Sequence, residues 1–228
     1  AMSMIQFDDV CYAYDGEPVL RHIDFAIDEG QAVVLSGPNG AGKSTLLRMI
    51  NGLIYPEIGS YTFEGQSITE KQMREHKYSK WFHQRVGFIW QDPAVQLFCG
   101  SVEEELAFGP QQMGLSEVET DQRVREAMEL LGITRLAARA PYTLSGGEKK
   151  KTAIASVLTM NPSVWTLDEP LSALDQATQD WLVEFLQALK QAGKTLIFST
   201  HDQQLARDLA DVQIEVDASH EVRVTKQA

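Results

Sequence analysis

The order of apolar and polar positions divides the chain into segments typical of strands and of helices. Residues 4–14 and 19–28 alternate apolar and polar side chains, which predicts two half-buried strands separated by the turn signal at 15–18. Residues 31–36 are mostly apolar, which indicates a buried strand, and the helical spacing that follows stops near Gly52. The chain therefore opens with an antiparallel meander, a buried strand and a helix.

Helical spacing dominates the middle of the chain, after a further strand predicted at 85–91. Ser101 with Glu104 and Ser116 with Glu119 match the spacing of capping boxes, in which a serine and a glutamate satisfy each other's backbone N–H groups. Glycines end helices well because they adopt positive φ, so Gly132 is expected to end the second of these helices, and a third helix is predicted from Ser145 to about Met160.

The last third of the chain returns to alternating strands and helices. A strand is predicted at 163–170, and after it a helix whose apolar side chains share one face: Trp181, Leu182, Phe185, Leu186 and Leu189. The remaining elements are a strand at 195–200, a short helix from Asp202, and two strands at 212–217 and 221–225.

This order predicts an α/β fold with a mainly parallel sheet, an N-terminal antiparallel β portion and an inserted α-helical sub-domain. We expect a single domain over 1–228, with residues 1–91 and 162–228 as its core. Residues 92–161 would form the helical sub-domain.

Composition narrows the classes of function. The chain has 228 residues, 43% of them hydrophobic, and a formal net charge of −12, which argues against nucleic acid as a partner because phosphates attract basic surfaces. It has no apolar run of membrane-spanning length and no signal-peptide pattern, so a cytoplasmic protein is expected. Cys11 and Cys99 are expected to be reduced and structural, and Ala1–Ser3 is interpreted as a tag remnant.

One locally basic stretch, residues 71–85, mixes Lys and Arg with aromatic side chains. A site for nucleic acid or lipid headgroups is one interpretation. A solvated loop or helix face is the interpretation we favour, because most runs of charge are of that kind.

A phosphate-binding motif lies between the predicted buried strand and the helix after it. Residues 37–44 read GPNGAGKS, which matches the P-loop pattern G-x-x-x-x-G-K-[ST] in the context that this motif requires. Its glycines allow successive backbone N–H groups to surround phosphate oxygens at a helix N-terminus. Lys43 is expected to reach the β- and γ-phosphates, and the Ser44 hydroxyl to bind Mg²⁺.

Two carboxylates, Asp168 and Glu169, lie toward the end of the segment 163–170, where the predicted strand is expected to stop. Asp168 is expected to be its last residue and to hold Mg²⁺ through water, while Glu169 would act as the general base or position the attacking water. An apolar strand that ends in Asp-Glu is common, and it is the P-loop elsewhere in the chain that makes this pair informative. Thr166 is polar for a central strand, although its branched Cβ suits β geometry.

Six motifs in a fixed order give the chain its resemblance to a known family. They are the P-loop at 37–45, Gln91 ending a strand, LSGGE at 144–148, the strand and carboxylates at 164–169, SALD at 172–175, and His201. The chain resembles, from about Ile5 to Val224, the ATP-binding subunit of an ABC transporter. The resemblance implies that ATP and Mg²⁺ are bound and that ATP is hydrolysed.

The resemblance assigns further roles to single residues. It implies that the whole loop contacts the nucleotide: Gly37, Pro38, Asn39, Gly40, Ala41, Gly42, Lys43, Ser44 and Thr45. Gln91 would touch Mg²⁺ and the attacking water, and His201 the γ-phosphate. Tyr14 matches the aromatic that stacks on adenine, with Tyr12 as its rival.

The resemblance also explains the two adjacent glycines at the start of a predicted helix, where glycine is otherwise unfavourable. In this family the LSGG segment covers the nucleotide of a second subunit, so Ser145, Gly146 and Gly147 would act on the partner's ATP. Asp175 would lie at the same interface. The expected assembly is a head-to-tail dimer, homomeric or heteromeric, with two ATP molecules between its subunits.

Residues 91–110 are similar to the corresponding region of energy-coupling-factor ATPases, which serve importers of vitamins or of cobalt and nickel ions. The similarity implies a transmembrane partner subunit contacted through this region, with the chain held at the cytoplasmic face of the membrane. Glu103, Glu104 and Glu105 would pair with arginines there, or would complement the dipole of their own helix.

Three alternatives stay open. A non-transport ABC ATPase, such as one for iron–sulfur assembly, has the same motifs. A catalytically degenerate partner is disfavoured because every catalytic motif is present, and a GTP-using P-loop protein because no guanine-reading motif is found. Two departures from the family pattern are Glu148, where glutamine is commoner, and Ser156, where arginine is frequent.

Overall fold

The computed structural model describes residues 3–226. The outermost two residues at each end of the expected 1–228 domain, including the first two of the interpreted tag remnant, lie outside the described residues. The strands of the described part are β1 Ile5–Tyr14, β2 Glu17–Ile27, β3 Ala32–Ser36, β4 Ile58–Phe63, β5 Gln66–Ser67, β6 Val86–Ile89, β7 Val164–Asp168, β8 Thr195–Ser199, β9 Val212–Val216 and β10 Val222–Lys226. The α-helices are α1 Lys43–Ile50, α2 Glu70–Met73, α3 His76–His83, α4 Val102–Met113, α5 Glu117–Leu130, α6 Gly146–Leu158, α7 Gln176–Gln191 and α8 Gln203–Leu209.

The strands form two sheets. The first is antiparallel, with the order β2-β1-β4-β5, so β1 lies between β2 and β4. The second has the order β10-β9-β3-β8-β7-β6; β10 pairs antiparallel with β9, and the other neighbours are parallel. The expected α/β fold with an N-terminal antiparallel portion and a mainly parallel sheet is confirmed.

The parallel strands place their carboxyl ends at one edge of the second sheet. The loop after β3 carries the P-loop, β7 ends at Asp168, and His201 follows β8 by two residues. Residues far apart in sequence therefore meet there, as is usual for ligand sites in open α/β sheets.

The second sheet separates two apolar clusters. In β3 the side chains of Val33 and Leu35 belong to the cluster shared with the antiparallel sheet and α1, whereas Ala32 and Val34 belong to the cluster on the other face. Alternating directions of successive side chains explain this division. All four residues are buried, which is why the sequence of β3 is apolar without interruption.

Helices α4, α5 and α6 lie between β6 and β7, where the sequence predicts helical structure. The capping box of Ser116 and Glu119 is complete, and Gly132 has the positive φ of +65° expected just after a helix. The predicted box at Ser101 is only half formed, because Glu104 accepts a hydrogen bond from Gly100 N instead of from Ser101 N. The division of the chain at 92 and 161 stays a prediction.

The segment between α1 and β6 holds four elements that the sequence analysis does not predict: β4, β5, α2 and α3. The basic stretch at 71–85 forms parts of two short helices, and its Phe82 is fully buried edge-to-face against Phe63 of β4. Trp81 packs beside the same ring. The aromatic side chains of this stretch thus contribute to the core, while its basic side chains are exposed or half-buried; whether the basic stretch binds a ligand stays a prediction.

Candidate functional site

The P-loop joins β3 to α1 in a conformation that its glycines make possible. Gly37 and Gly42 have φ angles of +132° and +116°. A Cβ on Gly37 would lie 2.0 Å from Val216 O, and one on Gly42 would lie 2.7 Å from Val19 O. No side chain caps the N-terminus of α1, so its first N–H groups and the positive end of its dipole face the loop, an arrangement suited to an anion.

Lys43 lies across this loop. Its Nζ donates hydrogen bonds to Gly37 O at 2.7 Å and Pro38 O at 2.8 Å, and only 8% of the residue is exposed. Burial lowers the pKa of the Lys43 ammonium, and the negative charges of Glu169 and Asp168 oppose that effect. The amine is therefore already positioned over the loop and lies in the field of both carboxylates.

The two carboxylates are organised by a serine on the neighbouring strand. The Ser199 hydroxyl donates to Asp168 Oδ1 at 2.6 Å and accepts a hydrogen bond from Glu169 N at 3.0 Å. Glu169 has a φ of +43°, which is unusual for a residue other than glycine and turns the chain sharply at the end of β7. Asp168 is the last residue of β7, as predicted.

His201 contacts Glu169 directly. Its Nε2 lies 3.2 Å from Glu169 Oε1, and its backbone N donates to Glu169 Oε2 at 3.3 Å. The first contact is not a hydrogen bond, and the buried Oε1 is without a hydrogen-bond partner. A buried oxygen of this kind in a cleft is suited to accept a proton or to bind water.

These residues line a cleft of about 500 Å³. The predicted site residues in its wall are Tyr14, Asn39, Gly40, Gly42, Lys43, Ser44, Thr45, Gln91, Asp168, Glu169 and His201. Gly37, Pro38 and Ala41 do not line it; Gly37 instead borders a second cleft of about 380 Å³ beside α8. Tyr12 lies on a different cleft, although its ring contacts that of Tyr14 edge-to-face at 5.0 Å.

Two residues of the cleft wall, Val19 and Ser172, are not among the predicted ones. Ser172 begins the SALD motif, in which only Asp175 received a role, so the motif itself held the signal. Val19 is an ordinary apolar residue of β2, and its position in the wall depends on how the two sheets pack.

Gln91 lies two residues beyond the end of β6, so the prediction that it ends this strand is wrong. Its side chain lines the cleft, and its backbone carbonyl accepts a hydrogen bond from Lys150 Nζ at 3.0 Å. The strand ends early because Trp90 N donates to the Gln96 side chain instead of a neighbouring strand.

Ser145, Gly146, Gly147 and Asp175 do not line the cleft of their own chain. Ser145 caps α6 in a complete capping box with Glu148, which also forms an ion pair with Arg135 at 2.7 Å. Ser145 and Gly146 are exposed. Asp175 caps α7 by accepting from Thr178 N at 2.9 Å.

Packing within the chain requires one of the two adjacent glycines, Gly147. A Cβ at this position would lie 2.8 Å from Thr178 Oγ1, so a side chain would push α6 away from the start of α7. At Gly146 the nearest atom to such a Cβ is Ala173 O at 4.0 Å, so packing within the chain does not require this glycine.

The oxygen atoms at the cleft fit a magnesium ion bound jointly with phosphates. Ser44 is exposed at the N-terminus of α1, and Asp168 presents a carboxylate at the end of β7. Mg²⁺ in nucleotide sites uses one or two such protein oxygens and completes its shell with phosphates and water. Among residues 3–226 there is no cluster of three or more His, Cys, Asp or Glu side chains that would form an all-protein metal site.

The structure corrects one expectation about residues 91–110. Only 4% of Glu105 is exposed, and its Oε2 accepts hydrogen bonds from Phe98 N at 2.9 Å and Cys99 N at 2.7 Å. Glu105 therefore cannot pair with a partner's arginine, because it already holds the preceding loop. Glu103 is exposed.

The fold and the cleft define a P-loop protein that binds a nucleoside triphosphate. Comparison with known proteins shows to which family of P-loop proteins it belongs. A family model described as ABC transporter matches residues 20–172. The chain belongs to this family: it is an ATP-binding subunit of an ABC transporter, and an ATPase. Among residues 3–226, no helix has both the length and the apolar character needed to cross a bilayer.

Several curated proteins are similar over most of the chain. A putative ABC transporter ATP-binding protein of Clostridium acetobutylicum is 48% identical over 87% of this chain and 83% of its own. The nickel import ATP-binding protein LarO of Lactiplantibacillus plantarum is 42% identical over 96% of this chain and 91% of its own. The energy-coupling factor transporter ATP-binding protein EcfA of Methanothermobacter thermautotrophicus is 40% identical over 91% of this chain and 66% of its own.

Two solved structures share the fold. CbiO1 of Clostridium perfringens, described as part of the ABC transporter complex CbiONQ, has a TM-score of 0.84 and 32% identity, covering 98% of this chain and 88% of that one. The ATP-binding cassette MJ0796, solved as a dimer in a post-hydrolysis state with ADP and Pi, has a TM-score of 0.86 and 28% identity, covering 98% of both chains.

Proposed function

We propose that this chain hydrolyses ATP to drive an importer of the energy-coupling-factor type, whose cargo is a vitamin or a cobalt or nickel ion. One observation carries the catalytic part of this proposal: a single cleft contains Lys43, Gln91, Asp168, Glu169 and His201. The importer type is supported by the similarity to LarO, EcfA and CbiO1.

In this proposal the nucleotide binds along the P-loop. The backbone N–H groups of residues 39–45 surround the phosphates, and Lys43 contacts the β- and γ-phosphates after its amine leaves the carbonyls of Gly37 and Pro38. Tyr14, at the rim of the same cleft and 38% exposed, stacks on the adenine.

Ser44, Asp168 and Gln91 would hold Mg²⁺, which when bound helps to neutralise charge on the phosphates. Ser199 keeps the Asp168 carboxylate directed at the cleft through their 2.6 Å hydrogen bond.

Glu169 and His201 act on the water that attacks the γ-phosphate. Glu169 Oε1 is buried and without a satisfied hydrogen bond, so it can orient this water and accept its proton. The sharp turn at Glu169 directs its carboxylate into the cleft, and the backbone N of His201 holds the second oxygen. His201, whose Nε2 lies 3.2 Å from Glu169 Oε1, contacts the γ-phosphate beside this carboxylate.

A second ATPase subunit completes each site in this proposal. Ser145, Gly146, Gly147 and Asp175 lie outside the cleft of their own chain, and the similar MJ0796 structure is dimeric. A head-to-tail dimer would place the exposed Ser145 and Gly146 over the γ-phosphate held by the facing subunit, where Ser145 stabilises developing charge.

We further propose that residues 91–110 contact a transmembrane subunit and so hold the chain at the cytoplasmic face of the membrane. Phe98 is 67% exposed and packs edge-to-face on Phe108, which is 41% exposed, at a distance of 4.9 Å between ring centroids. Val95 is 69% exposed in the same segment. Exposed aromatic side chains of this kind are typical of interfaces.

Substitution of Glu169 by glutamine tests the catalytic part. Glu169→Gln keeps the size of the side chain and removes the base, so we expect ATP binding to be retained, hydrolysis to slow by at least about a hundredfold, and a dimer to accumulate with ATP. Phosphate release and sizing in solution measure these effects. Turnover equal to that of the unmodified protein would contradict the assignment of the base.

Affinity capture from detergent-solubilised membranes tests the importer part. The tagged chain should retain an integral membrane protein whose transport of a vitamin, nickel or cobalt depends on ATP. Phe98→Asp should weaken this capture, while Val118→Asp, which changes a 77% exposed valine of α5, should not. Capture of soluble assembly factors alone would contradict an importer.

A further inference from the structure

Lys150 is a fully buried lysine whose amine links two functional segments of the chain. None of its surface is exposed, and Nζ donates hydrogen bonds to Trp90 O at 3.1 Å and Gln91 O at 3.0 Å. A buried ammonium is unfavourable unless hydrogen bonds compensate for the lost water. Burial lowers the pKa of Lys150 to about 8, although Asp92 and Asp168 oppose this effect. A methionine would fill the same space without that cost, so packing alone does not explain the lysine.

Each of the two linked segments reaches a different ATP site. The carbonyls that Lys150 contacts belong to the segment whose Gln91 side chain lines the chain's own cleft. Lys150 itself lies on α6, whose N-terminus carries Ser145, Gly146 and Gly147. In the proposed dimer these three residues cover the nucleotide of the facing subunit.

The connection between Lys150 and Ser145 is rigid. Ser145 caps α6 and Lys150 lies in its second turn, the capping box fixes Ser145 to Glu148, and Arg135 holds Glu148 by an ion pair. A second side chain, Gln96, also bridges the two segments, because it accepts from Trp90 N at 3.3 Å and donates to Ala153 O at 3.5 Å. A displacement of Gln91 must therefore move α6 or break buried hydrogen bonds.

We propose that Lys150 is a positioning residue that couples a subunit's own ATP cleft to the Ser145–Gly147 segment it presents to the other subunit. This inference rests on the proposed function, because it requires that Ser145–Gly147 act on the facing nucleotide. The binding of ATP beside Gln91 then changes the position of α6 through the two carbonyl contacts of Lys150. The result is cooperative hydrolysis by the two sites.

Steady-state hydrolysis by Lys150→Met and Lys149→Met, in the full chain, tests the inference. Both variants remove one positive charge from α6, but the half-buried Lys149 forms none of the contacts that link α6 to residues 90–96. For Lys150→Met we expect the Hill coefficient for ATP to fall toward one and kcat to fall by roughly tenfold, with the affinity for a fluorescent ATP analogue unchanged. Lys149→Met should behave as the unmodified protein.

Lys150→Gln keeps a hydrogen-bond donor and provides the test if the methionine variant does not fold; it should lie between the methionine variant and the unmodified protein. An unchanged Hill coefficient and kcat in Lys150→Met, or in a folded Lys150→Gln where the methionine variant does not fold, would overturn the role of Lys150. Equal losses in Lys149→Met would do the same. If the unmodified protein hydrolyses ATP without cooperativity and Glu169→Gln forms no dimer, the proposed function fails as well.

Discussion

The hydroxyl of Ser199 bridges the two carboxylate residues of the cleft, because it donates to Asp168 Oδ1 at 2.6 Å and accepts from Glu169 N at 3.0 Å. Ser199 is the last residue of β8 and is fully buried. One side chain on a neighbouring parallel strand thereby sets both the direction of Asp168 and the turn at Glu169.

Replacing Ser199 by alanine is expected to weaken binding of ATP with Mg²⁺. A hydrogen bond to a charged group contributes about 2 kcal/mol, so affinity should fall by roughly thirtyfold. Calorimetric titration with a non-hydrolysable ATP analogue measures this change. Ser163→Ala removes a serine hydroxyl at the opposite edge of the sheet, where it donates to Arg85 O, and should leave the affinity unchanged. Equal affinities for all three proteins would contradict the expectation.

Thr166→Val is expected to destabilise the fold by about 1 to 3 kcal/mol, because it leaves buried polar groups without partners. Thr166 Oγ1 accepts from Asn51 Nδ2 at 2.7 Å and donates to Gly87 O at 2.9 Å, which joins the end of α1 to β7 and β6. Urea unfolding measures the loss. Adding Asn51→Leu to this variant should recover part of it, since the stranded amide is then removed; an additive loss would argue against the pairing.

Gly37→Ala is expected to abolish nucleotide binding, whereas Gly40→Ala should reduce it less. A Cβ on Gly37 would lie 2.0 Å from Val216 O, while one on Gly40 would meet nothing within 4 Å. Both glycines have positive φ, so each variant carries a backbone cost of at least about 1 kcal/mol, and Gly37→Ala adds the steric clash. Thermal unfolding and binding of an ATP analogue compare them. A Gly37→Ala protein that binds as well as Gly40→Ala would show that β9 can move aside.

Glu148 makes the stability of α6 depend on pH. The backbone N–H of Ser145 and, after it, the Arg135 partner hold the pKa of the Glu148 carboxyl below its usual value of 4.5. A carboxylate with a lowered pKa in the folded state stabilises that state above the unfolded pKa and loses this effect as the pH falls through the folded pKa.

We therefore expect Glu148→Gln to destabilise the protein at about pH 7 and to have less effect below about pH 4.5. Chemical unfolding of both proteins across this range measures the difference in unfolding free energy. Glu119→Gln, in the second capping box, should follow the same trend. A difference in unfolding free energy that grows toward acid pH would contradict the expected direction of the effect.

Glu105 is expected to suppress the reactivity of Cys99. Burial first, and then the charge and hydrogen bond of Glu105, raise the pKa of the Cys99 thiol to about 11. Glu105→Gln should lower this pKa and free the backbone of Phe98 and Cys99, so alkylation by iodoacetamide should become faster at constant pH. Glu103→Gln changes an exposed neighbour and is the matched control. Mass spectrometry distinguishes Cys99 from Cys11, and equal rates in both variants would contradict the expectation.

Much of the fold follows from local patterns in the sequence. The alternation in β1 and β2 and the apolar run of β3 predict their structure, because strands with one or two buried faces impose those patterns. The strands and helices of residues 53–84 were not predicted, and the reason is physical. Strand β4 is stabilised by pairing with β1 some fifty residues earlier, and Phe82 of α3 is buried by Phe63, so neither element has a strong local signal.

Most members of the cleft were also predictable, because they belong to motifs near the end of a strand or the start of a helix; Val19, inside β2, does not. The hydrogen bonds and the burial of individual side chains around the cleft were less predictable. The hydrogen bonds of Ser199 and the burial of Glu105 depend on contacts between segments that no spacing rule connects.

The sequence by itself identified the residues to which we assign the proposed chemistry: a glycine loop ahead of Lys43, carboxylates at the end of an apolar strand, and a glycine pair after Ser145. Only the tertiary structure decided how they are arranged. Parallel pairing of β3, β7 and β8 brings Lys43, Glu169 and His201 to one cleft, while the packing of α6 directs Ser145 away from it. Local spacing specifies where a helix or a strand ends, whereas long-range packing sets the distances between such ends. The same packing buries Lys150 of α6 against the carbonyls of Trp90 and Gln91.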